Sequence, residues 1–480
     1  PALSTDILNT IKKKNENENN LRKAINRSIG KSGIRKLESI NFENNTNFLY
    51  LSDDFNKKKY WQKLLAVLNK ERNLFFHIIE AIRINCGIVS ETDLRIFSAS
   101  PDRMKNQSLF VDIFYNLKQS KIIEEVFSGE DVYYQLNFFI RPPNFSFKES
   151  KVNYCIKNLI IQNLEKWLVY NGLAYKESLR RANDPSHCFS HFYWSLFGLS
   201  YMLDGLIKQL KGKESKSVFI VADILQSNNV VKLSHIQYFL RKIGICRSQK
   251  DVPVFLPILI AGYFAPEALR ELRSKKILAT TLKNLFGVRF DKQLKDLKNY
   301  LLDIENTAQT DPEQIFDIFN NLKKDLPNID TNNLRGSFFE YLIAILHHYK
   351  TGNSFEVGRT IKVPKTYEQA EIDILSYTKT EVFVIECKAY KSTLGISSIK
   401  HWIGQINKIK NWIHDQDLFS GKQICYQYYS LNGFDKESIQ YIEKIKKYDI
   451  KLYGKEEITK EIHSWGDKSL RDNFHNFLYS

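Results

Sequence analysis

The hydrophobic pattern changes character several times along the chain. Residues 1–55 are rich in Lys, Asn and Glu with few apolar clusters, the pattern of an extended or partly helical basic N-terminal arm. Between Lys59 and Asn137 short amphipathic runs take over: one ending NLFFHIIEAIRINCG, then SETDLRIF, then a longer one from Met104 to Gln119. Ser100-Pro101-Asp102 gives that third helix a capping hydroxyl, a proline at the first helical position and an acid in the first turn. KIIEEVF and DVYYQLN, joined by Ser128-Gly129-Glu130, predict a β-hairpin, and Arg-Pro-Pro at 141–143 closes the segment. Strand-like and helical runs then alternate over 152–295, and charged repeats such as KQLKDLKNYLLDIENT lead into a helical connector over 296–330.

In the last segment, 331–480, the run LRGSFFEYLIAILHHY sets Phe338, Phe339, Leu342, Ile345, Leu346 and Tyr349 at helical spacing, with Glu340 on the same helix. Three strand-like runs follow: SFEVGRTIKV, AEIDILSY and EVFVIECKAY. Only Thr378-Lys379-Thr380 separates the last two, so they predict a hairpin. Side chains alternate along a strand, so Glu386 and Lys388 share one face while Cys387 takes the other, and a neighbouring strand can bring Asp373 beside them.

Three helices and a hairpin in the order found over 56–145 predict a winged-helix-like DNA-binding domain, whose third helix enters the major groove. Arg103, Lys105, Asn106 and Gln107 would then stand at the groove-facing end. The same architecture also serves protein contacts. The formal net charge of +16 favours a polyanionic partner, nucleic acid first, although richness in Lys, Asn and Ile is also what an AT-rich genome produces. The six cysteines lie far apart with no C-x-x-C pair, which argues against a zinc ribbon or a disulfide framework. PALSTDILNTIKKKNENENN lacks the apolar centre of a signal peptide, and no stretch has the apolar length of a membrane span. A soluble protein of the prokaryotic cytosol, with no membrane association, is expected.

The C-terminal grouping has a chemical logic. Two carboxylates close together in a half-buried hairpin repel unless a cation neutralises them, and Mg²⁺ does so while keeping waters for reaction. A nearby ammonium, that of Lys388, can orient a water or stabilise charge on a transferring phosphate. Phosphodiester hydrolysis is the implied reaction. Taken alone, Glu-x-Lys in a strand is more often a solvated cross-strand ion pair. Glu371 shares the face of Asp373 by the same period of two, and ranks below it as a ligand because it sits nearer the strand start.

The order of elements changes the weighing: helical glutamate, strand with aspartate, strand with Glu-x-Lys, helix with glutamine in KHWIGQINKIKNW, then strand, helix, strand and a final helix. In this the chain resembles the PD-(D/E)XK nuclease superfamily, in the branch of Mrr-like restriction nucleases and archaeal Holliday junction resolvases. The resemblance extends to the tail KQICYQYYSLNGFDKESIQYIEKIKKYDIKLYGKEEIT, with Phe434 after a small-residue turn. It implies Asp373 and Glu386 as metal ligands, the backbone carbonyl of Cys387 as a further ligand, Lys388 as the catalytic lysine, Glu340 as an auxiliary acid and Gln405 in the helical glutamine position. The proline that names the motif is replaced by Ile372. Mg²⁺ is the implied cofactor, with Mn²⁺ as a substitute.

The middle region repeats the layout without the chemistry. VFIVADILQSNNVVKLSHIQYFLRKIG, from Val218, parallels VFVIECKAYKSTLGISSIKHWIGQINKIK, from Val382, with Phe264 answering Phe434, Glu267 answering Glu437 and Leu269 answering Ile439. Glu165 could answer Glu340, but Ala222 stands where Glu386 stands and Ile224 replaces Lys388. A catalytically degenerate nuclease-like domain over 152–295 is expected, or else an unrelated α/β domain of similar rhythm. The histidine pairs His347-His348 and His187 with His191 lack a third ligand at useful spacing and read as ordinary surface or core residues.

The expected fold is an α/β multidomain chain: a restriction-endonuclease-like domain with a mixed central sheet at 331–480, behind the winged-helix-like and degenerate domains. The expected function is Mg²⁺-dependent cleavage of double-stranded DNA, of the restriction or phage-defence kind, by a homodimer at least on DNA. The alternatives are branched-DNA resolution in repair and a non-catalytic DNA-binding protein on a nuclease fold. No G-x-x-x-x-G-K-[ST] loop occurs, so no nucleotide motor is expected in this chain.

Overall fold

The computed structural model describes the chain apart from residues 13–16, 32, 129–130, 144, 183–187, 201–217, 228, 304–316, 318–331, 352–354, 363–368, 391, 465–467 and 480. Two compact units result: Pro1–Glu125, Tyr134–Ser146 and Leu164–Leu285 form the first, and Val126–Tyr133, Phe147–Asn163 and Phe286–Ser480 the second. His187 and most of the connector at 296–330 lie outside the described residues. No helix among the described residues is long and apolar enough to cross a membrane.

The first unit opens with β1 (Ala2–Leu3), helices Ser4–Ile11 and Glu18–Ser28, β2 (Ile34–Lys36) and β3 (Phe48–Leu51). Where an extended or partly helical arm was expected, the strands form an antiparallel sheet of order β1-β3-β2, and Leu8, Ile25 and Leu49 pack into a small core with the helices. So few apolar residues, so widely spread, leave no periodic signal in the sequence.

Helices Lys58–Lys70 and Leu74–Ile84 follow, then β4 (Ile88–Ser90), helices Glu91–Ser98 and Phe110–Gln119, β5 (Ile123–Ser128) and β6 (Asp131–Leu136), with sheet order β4-β6-β5. Asn73 and Ser90 cap two of the helices, their side-chain oxygens accepting from the N–H groups of Phe75 and Asp93. The helix expected from Met104 begins instead at Phe110. Ser100 is buried with its hydroxyl on the Ser98 carbonyl, and the Pro101 carbonyl accepts from Phe110 N–H, so the Ser-Pro-Asp signal starts a loop. Gly87 has φ +83°, and a Cβ there would meet Pro142 Cδ at 2.6 Å, so both backbone and space demand glycine.

The rest of the first unit is built on β7 (Arg180–Arg181), β8 (Leu196–Leu199), β9 (Phe219–Leu225), β10 (Phe255–Ala261) and β11 (Leu278–Thr280), with helix Gln237–Ser248 between β9 and β10 and Pro266–Ser274 between β10 and β11. Its sheet runs β7-β8-β9-β10-β11, the first two pairings antiparallel and the last two parallel.

The second unit carries the same plan. After helix Asn332–Thr351 come β12 (Phe355–Lys362), β13 (Gln369–Tyr377), β14 (Glu381–Lys388), helix Ile396–His414, β15 (Gln423–Ser430), helix Lys436–Glu443, β16 (Asp449–Tyr453) and helices Lys455–His463 and Lys468–Tyr479. The mixed sheet β12-β13-β14-β15-β16 is antiparallel, antiparallel, parallel, parallel. Isolated parallel bridges, Val231 with Phe264 and Leu394 with Phe434, recur at matching places in the two sheets. Pro266 and Lys436 each begin a helix two residues after those phenylalanines, and Glu267 and Glu437 lie in the first turns. One core cluster of the second unit joins Val382, Val384, Tyr426 and Tyr428 to Ile399, Trp402, Ile406 and Ile409 of the helix Ile396–His414.

Candidate active site

Strand alternation carries the apolar positions Val382 and Val384 into polar ones at the end of β14, because Glu386 and Lys388 follow with the same period of two. The β13–β14 register, with Ile374 opposite Ile385, brings Asp373 to the same place. Asp373 is buried, and its Oδ2 accepts from Cys387 N–H at 2.9 Å. Lys388 Nζ lies 2.6 Å from Glu386 Oε1 and 3.4 Å from Asp373 Oδ2. The three residues singled out in the sequence therefore converge. On the far side of Asp373, Gly358 interrupts β12 with φ +67°, at the register position between the Val357–Ile374 and Arg359–Ile372 pairs.

Glu371 and Glu340 join this group through a residue that no motif flagged. Lys151, on the helix Phe147–Tyr170, places Nζ 3.0 Å from Glu371 Oε1 and 3.9 Å from Glu340 Oε1. The side chain of Glu371 is 0% exposed. Lys151 and Glu371 are 220 residues apart in the chain, so only tertiary structure could reveal the pair.

The electrostatics are those of a buried acidic cluster. Burial, then repulsion from Asp373, pushes the Glu386 carboxyl up to about 7, against the pull of Lys388. Burial likewise pushes Glu340 up to about 8, with Lys151 opposing and Asp373 and Glu371 adding to the rise. Burial works against the charge on Lys388 and Lys151, but their carboxylate partners outweigh it and hold both ammonium groups well above their ordinary range.

A divalent cation fits this donor chemistry. The carboxylates crowd together at a cost that burial magnifies, and the ammonium groups relieve it only in part. Among the described residues no three His, Cys, Asp or Glu side chains are placed to hold one ion. Asp373 and Glu386 are the two carboxylates that the β13–β14 register brings together beside Lys388. Gln405 lies on the helix Ile396–His414 with its Oε1 buried and without a hydrogen-bond partner among the described residues, and it makes no hydrogen bond to the triad.

The groove-facing candidates are arranged differently from expectation. Arg103, Lys105, Asn106 and Gln107 occupy the loop before the helix Phe110–Gln119 instead of its first turns. Arg103, Lys105 and Asn106 are exposed, whereas Gln107 Oε1 accepts from Arg241 at 3.1 Å. At the place in the first unit that corresponds to the triad, Ala222 and Ile224 are buried, and the neighbouring Asp223 forms a buried pair with Lys242 at 2.5 Å. Glu165 is held by Arg181 through two hydrogen bonds.

Residues 335–447 match the nuclease-related domain family (NERD), a span that includes Glu340, Asp373, Glu386, Lys388 and Gln405 but not Lys151. Among solved structures, a protein of unknown function, AF1548, is 18% identical, with 29% of this chain and 78% of that one covered and a TM-score of 0.20. The DNA modification-dependent restriction endonuclease AspBHI is 12% identical, with 35% of this chain and 39% of that one covered and a TM-score of 0.20. No curated protein matches. The family match links the C-terminal segment to nuclease-related domains in the broad sense, without selecting a branch.

Proposed function

We propose that this chain is a Mg²⁺-dependent DNA endonuclease with its cutting centre at Asp373, Glu386 and Lys388. The observation that carries the reading is the convergence of two buried carboxylates and an ammonium on one sheet face, within a segment that matches nuclease-related domains. Asp373, Glu386 and the Cys387 carbonyl would hold Mg²⁺, or Mn²⁺ in its place. When bound, the ion supplies polarisation of a phosphate oxygen and a water of lowered pKa.

The chain's own groups do the remaining work. Cys387 N–H fixes the carboxylate of Asp373, so its orientation is set by the backbone of the adjacent strand. Lys388 keeps its charge and points it at the carboxylate pair, where it can orient a water and stabilise the charge that builds up on a phosphate oxygen. Glu340, with its carboxyl raised to about 8, is able to hold a proton near neutral pH and release it to a leaving oxygen.

The restriction or phage-defence reading assigns guidance to the rest of the chain. The helix, strand, two helices and hairpin between Leu74 and Leu136 fit a winged helix, and the exposed Arg103, Lys105 and Asn106 would approach double-stranded DNA from a loop. The sheet β7–β11 repeats the order and sense of β12–β16, which supports its reading as a nuclease-like copy that has lost the chemistry. One centre cuts one strand per event, so duplex cleavage calls for a homodimer on DNA or two successive nicks.

The test is incubation of the purified chain with supercoiled, linear and branched DNA, with Mg²⁺ or EDTA, beside Asp373→Ala. Metal-dependent cleavage lost in the variant supports the reading. Cleavage that survives EDTA and the substitution contradicts it, and preference for branched DNA moves the function to repair.

A further inference from the structure

Four carboxylates gather here, with one ammonium nearest to each pair. Lys388 serves Glu386 and Asp373, at 2.6 and 3.4 Å, while Lys151 serves Glu371 and Glu340, at 3.0 and 3.9 Å. Among the described residues no three His, Cys, Asp or Glu side chains are placed to hold one ion. Phosphodiester hydrolysis is often carried out by two ions a few ångströms apart, each held by its own carboxylates. Here the second carboxylate pair already has a cation tethered to the chain.

Resting on the metal-centre reading above, we infer that the Lys151 ammonium stands where a second divalent cation would otherwise bind, so that the centre takes a single metal ion. Lys151 is thereby a positioning residue, keeping Glu371 and Glu340 out of the metal's coordination. A tethered ammonium is always present and offers three donors, but it lacks the Lewis acidity of a metal ion. Removing it strips Glu371 and Glu340 of that counter-charge, and a second divalent ion would restore it.

The experiment is Mn²⁺ binding to the full-length chain, read from the electron paramagnetic resonance signal of free Mn²⁺, with folding checked by circular dichroism. Wild type should bind one Mn²⁺, Lys151→Met two, Lys151→Arg one, and Lys151→Met with Glu371→Gln one again. Lys151→Gln, neutral but still a hydrogen-bond donor, repeats the test if the methionine variant does not fold. A neutral variant that still binds one ion with unchanged affinity overturns the inference, as does a wild type that binds two. A wild type that binds none overturns the metal-centre reading itself.

Discussion

Lys388 holds its ammonium 2.6 Å from Oε1 of Glu386, two residues back on the same strand, and 3.4 Å from Asp373 on the next. A flexible cation so placed is what keeps two buried carboxylates together in the absence of metal. Removing the carboxylates and removing the lysine should therefore have opposite effects on stability.

The metal-free protein should lose stability as pH rises from about 5 to about 8. Glu386 and Glu340 are raised from 4.5 to about 7 and about 8, so the folded state binds more protons than the unfolded state across that interval. Their contribution is therefore most favourable at the acid end and declines with rising pH. The raised lysines keep their charge in both states throughout this window and add no slope. Melting temperatures measured with EDTA should fall with pH in wild type and flatten in Glu386→Gln and Glu340→Gln, both of which should melt higher than wild type at about pH 8. Equal slopes in all three would contradict the assigned electrostatics.

Lys242 and Asp223 form a buried pair, with Ser195 N–H on the other carboxylate oxygen and the Trp194 ring 4.0 Å from the ammonium. Asp223→Ala leaves that charge buried and should cost about 3–5 kcal/mol in urea unfolding. Replacing both partners, Asp223→Leu with Lys242→Met, should recover most of the loss. If the single variant is neutral, the pair contributes nothing to the fold.

Gly87→Ala should destabilise by roughly 2 kcal/mol or more, since strain at positive φ adds to a 2.6 Å approach to Pro142. Gly172→Ala, also at positive φ but with nothing within 4 Å of the new methyl, should cost about 1 kcal/mol. Denaturant midpoints of the two variants measure the difference directly, and equal losses would remove the role given to Pro142.

Arg103→Ala with Lys105→Ala should weaken DNA binding across sequences and lower its salt slope by about 2 if both cations reach phosphates. Titration at several salt concentrations reads the slope. An unchanged slope would assign the loop to protein contacts.

The triad was legible in the sequence because strand alternation alone puts Glu386 and Lys388 on one face, and a three-residue turn dictates a hairpin with the strand of Asp373. The correspondence of Phe264 with Phe434 was also legible, and it reappears as matching bridges in the two sheets. Lys151 was not, because its partner Glu371 lies 220 positions away and a lysine on a helix has no distinctive spacing. The loop at 100–109 was missed for a different reason. A capping signature is a local preference, and the burial of Ser100 overrode it. The sheet at the N-terminus was hidden by its few apolar residues, which meet only after the chain has folded back.

Lys388 is proposed to act at a nuclease centre. The most direct test is the single-turnover nicking rate of supercoiled plasmid in Mg²⁺ for Lys388→Met against wild type, with Mn²⁺ binding and circular dichroism measured on the same preparations. A fall of about 100-fold or more is expected, with metal binding and fold retained. A folded, metal-binding Lys388→Met variant that nicks at the wild-type rate would contradict it.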